Sequence, residues 1–130
     1  MVEPSTRPEP APIDFAQALT TLEGSLTLLI QLVPMVLEQI DIDLPLIRTH
    51  VMARNTDALR AASHRLKGSL GAIAAVPAYE ACADLQKAAR MADYDAYASV
   101  LCQLEREIGR LRPCLCTWLA DKQNNSLERN

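Results

Sequence analysis

A chain of 130 residues, 49% hydrophobic but only 4% aromatic, is long enough for one domain with an aliphatic core; a chain of this size buries roughly two-thirds of its unfolded surface. The net charge of −3 argues against a nucleic-acid surface. No apolar run reaches the roughly 18 residues of a membrane span, so membrane insertion is not expected. The first residues lack the basic-then-apolar order of a secretion signal. With Met1 as the true start, a cytoplasmic location is expected. Alanine and leucine dominate and no alternating β-branched run occurs, so the expected class is all-α.

Residues 1–12 contain Pro4, Pro8, Pro10 and Pro12. They read as a disordered, solvated linker or tail. A short helix is expected from Ile13 to about Leu22, with Asp14 in its first turn. Gly24 interrupts it and Ser25 can cap the next helix. From there Leu26, Leu29, Ile30, Val33, Leu37, Ile40, Leu44, Ile47 and Val51 keep one helical period through Pro34 and Pro45. Each proline removes one backbone hydrogen bond. One bent helix over about 25–53 is expected, and a break at 41–44 is left open.

Asn55, Thr56 and Asp57 stop one helix and start another, which runs over about 57–74. Pro77 suits the first turn of the next, about 77–91, with Ala78, Ala81, Cys82, Leu85, Ala88 and Ala89 inward. Asp93 can cap the last long helix. Its seam, Tyr97, Leu101, Leu104, Ile108, Leu111, Leu115 and Trp118, follows four- and three-residue steps, and Pro113 can kink or end it. The tail from Lys122 is polar and expected to fray. Short connections imply antiparallel neighbours. The expected architecture is an up-down four-helix bundle over residues 13–121 with a short extra N-terminal helix, flanked by tails at 1–12 and 122–130.

Of the four cysteines, Cys82 and Cys102 fall on helix interiors and read as small buried hydrophobes. Cys114 and Cys116 form a C-x-C pair with no histidine nearby, which does not match zinc spacing; reduced thiols are expected.

The stretch Ala61–Ala74 holds His64 inside a clear helical period. Leu59, Ala62, Leu66, Leu70 and Ile73 form one apolar stripe, and His64 lies roughly 160° from its centre. The imidazole should face solvent. Gly68 and Gly71 share its face, and Lys67 lies one turn ahead. Two glycines inside a helix should each cost about 1 kcal/mol relative to alanine. The sequence therefore implies a floor nearly bare of side chains, open to close approach. The plainer reading of each residue is a solvated helix surface. His50 has neither the Lys-Gly pattern nor a glycine floor and reads as structural.

The motif His64-x-Leu66-Lys67-Gly68-Ser69, in a small Ala/Leu-rich helical chain, resembles the histidine-containing phosphotransfer (HPt) family. The likeness extends more loosely from about Ile13 to Leu111 in helix order and spacing. It implies a helical bundle that carries a phosphoryl group on one histidine between aspartates of response-regulator receiver domains. It makes His64 the phosphorylated residue. Many members have glycine ten residues after the histidine, where this chain has Ala74, which leaves the end of that helix open. In related domains a Gln or Glu about 22 residues on bonds the other ring nitrogen, and Gln86 occupies that position.

An imidazole nitrogen is nucleophilic when neutral. Phosphoryl transfer needs such a nucleophile, an open in-line approach and charge stabilisation on the oxygens. Lys67 can supply the charge, Gln86 can orient the ring, and Gly68 and Gly71 keep the approach clear. Arg54, Arg60, Arg65 and Lys67 outnumber Asp57 around this helix. They would complement an acidic receiver pocket, which assigns Arg60, Arg65, Gly68 and Gly71 to a docking surface. Expected partners are receiver domains and a hybrid sensor kinase, with the chain itself a monomer. No Walker or kinase-like glycine loop is present, so no autonomous kinase activity is expected. The chain is expected to bind no metal or cofactor, the receiver supplying Mg²⁺. The competing reading is a helical adaptor that docks receivers or a kinase without being phosphorylated. A metal-dependent bundle enzyme is disfavoured, because Glu-x-x-His motifs are absent.

Overall fold

The computed structural model describes residues 9–128. Within them the chain forms α1 (Phe15–Thr21), α2 (Leu26–Ala53), α3 (Thr56–Ala72), α4 (Val76–Arg90) and α5 (Tyr94–Glu128). Each of α2 to α5 packs on the next, and α5 returns to α2, closing a four-helix bundle with α1 as the short extra helix. Connections of two to four residues force antiparallel neighbours.

Helix starts follow local chemistry. Asp14, Ser25 and Asn55 each accept a hydrogen bond from the backbone N–H three residues on, at Gln17, Leu28 and Ala58. Asp14 is thus the cap of α1 rather than part of its first turn. The first four helices end in a different common device. Glu23, Arg54, Ala74 and Ala92 all take left-handed backbone angles, φ between 51° and 57°. At the end of α3, Ala74 N donates to the Gly71 carbonyl at 3.2 Å and Ala75 N to the Leu70 carbonyl at 3.0 Å. This is the paired hydrogen-bond pattern of a Schellman ending, built without glycine.

The expected stripes become the core. Leu59, Ala62, Leu66, Leu70 and Ile73 are fully buried, as are Leu29, Val33, Ile40 and Ile47 of α2. All six expected inward residues of α4 are buried. On α5, Tyr97, Leu104, Ile108, Leu111 and Leu115 are buried, with Leu101 and Trp118 partly so. Phe15 stacks on Trp118 with ring centroids 5.0 Å apart, fastening α1 to α5. Ion pairs Arg48–Glu105 and Arg112–Asp41 bridge α2 to α5.

Several expectations are corrected. Helix α2 is continuous through 41–44. A proline removes one hydrogen bond, and the buried Ile40, Leu44 and Ile47 hold the helix on both sides of Pro45. Leu26 is exposed, and Val36 and Asp43 are buried in its stead. Helix α5 passes through Pro113 and runs to Glu128, so the tail expected to fray at 122 is helical that far; Lys122 lies over the Trp118 ring one turn back. Cys102 faces solvent, as do Cys114 and Cys116; only Cys82 is buried. Of the expected N-terminal tail, residues 1–8 lie outside the described residues, but residues 9 and 10 are docked. The Glu9 carboxylate pairs with Arg106 and Arg110, and the Pro10 carbonyl accepts from Arg110. Those arginines also neutralise the buried Glu107. Among the described residues no single helix is long and apolar enough to cross a membrane.

Candidate functional site

His64 stands exposed on α3, with Ala62, Ser63 and Leu66 buried around it. The apolar stripe points inward and so turns the imidazole outward. Across the α3–α4 seam, Gln86 Nε2 lies 3.4 Å from His64 Nδ1. Helix α4 brings Gln86 there because Leu85, its neighbour, is fully buried and fixes the helix rotation. With Nδ1 taken by the amide, Nε2 is the ring nitrogen left outward.

Lys67 is half-buried, and its ammonium lies 5.9 Å from the centroid of the Tyr79 ring. Gly68 is exposed, and a Cβ there would meet nothing within 4 Å. Gly71 differs: a Cβ would lie 3.2 and 3.3 Å from two atoms of the Tyr79 ring. Both glycines assigned to a bare floor are exposed, but only at Gly68 would an added side chain meet open space. Next to Gly68, Leu32, Met35, Val36 and Gln39 of α2 and Arg65, Ser69 and Ala72 of α3 line a shallow groove of about 390 Å³.

The expected basic patch is more committed than its sequence suggests. Arg65 donates through Nε and Nη2 to Asp43, at 3.4 and 3.2 Å, and Gln39 donates to the other Asp43 oxygen at 2.7 Å. Asp43 is completely buried, so its charge needs these partners. Arg54 packs over the Tyr94 ring at 5.2 Å. Arg60 is exposed. Sequence reasoning overlooked Asp43 and Tyr79. Asp43 carries a faint signal, a carboxylate falling beside the α2 apolar stripe; the aromatic of Tyr79 lacks even that.

Behind the seam, burial pushes the Cys82 thiol from its ordinary 9.0 up to about 12, with Asp43 adding to the rise and Lys67 opposing it. Among the described residues no three His, Cys, Asp or Glu side chains are grouped to hold a metal ion.

The family model for the Hpt domain matches residues 16–113. The chain belongs to the Hpt domain family. Membership places it among the histidine phosphotransfer components of two-component signalling. Among solved structures, the fold is similar to histidine-containing phosphotransfer protein B (HptB) from Pseudomonas aeruginosa PAO1, with a TM-score of 0.79. The likeness covers 87% of this chain and 98% of that one at 19% sequence identity. No curated protein matches the sequence significantly.

Proposed function

We propose that this Hpt domain carries a phosphoryl group on Nε2 of His64, taking it from a receiver-domain aspartate and passing it to another. The observation that carries the reading is the exposed His64 ring with Gln86 on its Nδ1. The Gln86 amide can present either polar atom to the ring. With Oε1 accepting from Nδ1–H, the ring takes the tautomer whose lone pair sits on Nε2, facing solvent. That lone pair attacks the phosphorus of an aspartyl phosphate. The N–P bond forms as the bond from phosphorus to the carboxylate oxygen breaks, and the aspartate leaves as a carboxylate. Lys67 meets the charge spread over the phosphoryl oxygens as a point charge.

The open backbone at Gly68 and the adjacent α2–α3 groove form the docking face for the receiver. Arg60 adds positive charge there, while Arg65 contributes a guanidinium already held by Asp43. The receiver supplies Mg²⁺, and the chain takes its phosphoryl group ready-made rather than from ATP.

The test uses receiver domains preloaded with acetyl phosphate. Wild-type chain should acquire base-stable, acid-labile phosphate. His64→Gln should abolish it without loss of helical circular dichroism. His50→Gln should label normally, since His50 is half-buried and takes part in the α2 ending, where its carbonyl accepts from Asn55 N. Labelling that survives His64→Gln would refute the assignment; receiver binding with no labelling of the wild type would favour the adaptor reading.

A further inference from the structure

The α3–α4 seam pairs residues in one antiparallel register: His64 faces Gln86, and Gly71 faces Tyr79. Lys67 lies between those two crossings, one turn from His64 on α3, where residues three apart are surface neighbours. A lysine there has a flexible four-carbon stem and a strongly hydrated head. Nothing on α3 alone would confine it. Helix α4 supplies the constraint, because the face of the Tyr79 ring lies within cation–π range of the Lys67 ammonium, 5.9 Å from ring centroid to nitrogen.

The ring sits close against the backbone of Gly71, where no side chain stands in its way. A Cβ at Gly71 would come within 3.2 Å of the ring, closer than ordinary van der Waals contact, so the ring would have to shift by a few tenths of an ångström. Tyr79 is 38% exposed, with the Gly71 backbone below its ring and the Lys67 ammonium beside it.

We propose that Tyr79 is a positioning residue for phosphoryl transfer, confining the Lys67 ammonium to the α3–α4 seam, one turn from His64, from a seat against Gly71. The role rests on the phosphotransfer reading above. It adds a role for Gly71, which stays exposed: its missing side chain makes room for a residue of the same chain. Tyr79 touches neither the imidazole nor the phosphoryl group and acts through Lys67.

The test follows the intact chain by two readouts. The first needs no phosphoryl group. In the NMR spectrum the ε-protons of Lys67 should carry an upfield ring-current shift that persists in Tyr79→Phe and vanishes in Tyr79→Leu. The second is the rate at which His64 is phosphorylated by phosphoramidate, a small donor that requires no docking partner. Tyr79→Leu should slow it about two- to five-fold, the range set by an exposed cation–π contact. Tyr79→Phe should restore the wild-type rate, because the ring face and not the hydroxyl does the holding. In a Lys67→Gln background Tyr79→Leu should cause no further loss. Gly71→Ala should slow the reaction by displacing the ring, without adding to the effect of Tyr79→Leu. A loss that persists in the Lys67→Gln background, a Tyr79→Phe variant as slow as Tyr79→Leu, or an absent ring-current shift would overturn the role. Normal labelling with no dependence on Tyr79 would defeat this role alone; no labelling of wild-type His64 would defeat the phosphotransfer reading itself.

Discussion

Replacing Ala74 by glycine should stabilise the protein, although it removes a methyl group and adds freedom to the unfolded chain. Ala74 sits at φ +55°. An L-residue held in the left-handed region carries about 1–2 kcal/mol of steric cost from its Cβ against the following carbonyl. The backbone has little scope to relax that strain. Ala74 N donates to Gly71, Ala75 N donates to Leu70, and the Ala74 carbonyl accepts from Asp14 N at 3.1 Å. Glycine relieves the steric term and gives back about 0.4–1 kcal/mol through the larger entropy of the unfolded chain. The net gain is about 0.5–1 kcal/mol, which for a domain of this size raises the thermal midpoint by about 2–6 °C. Thermal and urea unfolding followed by helical circular dichroism measure it. The companion variant Ala61→Gly, at an exposed position inside α3, should destabilise by about 1 kcal/mol. The two alanine-to-glycine changes thus have opposite signs from backbone angle alone. A neutral or destabilising Ala74→Gly, or the same sign for both, would refute the reasoning. In this chain the helix ending is thus kept with alanine at an energetic cost.

Two further outcomes follow from buried groups. Asp43 is wholly buried while the Arg65 side chain is 51% exposed, so breaking the pair from its two sides should be unequal. Arg65→Ala leaves a buried carboxylate short of a partner and should cost about 1–3 kcal/mol. Asp43→Asn should cost less, because Gln39 can still bond the amide and Arg65 returns to water; equal losses in urea midpoint would contradict this. Cys82, pushed up to about 12 by burial, keeps its proton in the folded state after the unfolded chain has begun to lose its own near 9. Its contribution is therefore full below about pH 9 and is lost as pH rises from there toward 12. By pH 10 wild type should lose about 1.4 kcal/mol more than Cys82→Ala does, relative to pH 8. Parallel pH dependences in urea unfolding would show that the thiol is not protected.

Local order was legible because it depends on near neighbours in the chain. The three- and four-residue spacing of Leu59, Leu66, Leu70 and Ile73 sets one face of α3 inward, and the same spacing sets His64 outward. Ser25 and Asn55 announce helix starts because a short polar side chain can reach the N–H three residues on. The match of Gln86 to His64 was available through the family resemblance, and the buried Leu85 then brings the amide into place. What the period could not reveal is which residues of other helices lie opposite. The Arg65 guanidinium reads as an unpaired charge until α2 brings Asp43 beneath it. Gly71 reads as open floor until α4 lays the Tyr79 ring against it, and Cys102 reads as buried until α5 is rotated by its own seam. Pro34 and Pro45 bend the expected helix without ending it, and at Pro113, where the sequence allowed a kink or an end, packing carries α5 through, since one lost hydrogen bond is small against a buried helical face. By itself the sequence determined the helices, the direction of the histidine and the family. Only the tertiary structure decided which charges are free to meet a partner, because pairing of charges and seating of rings depend on contacts between helices that no single helix encodes.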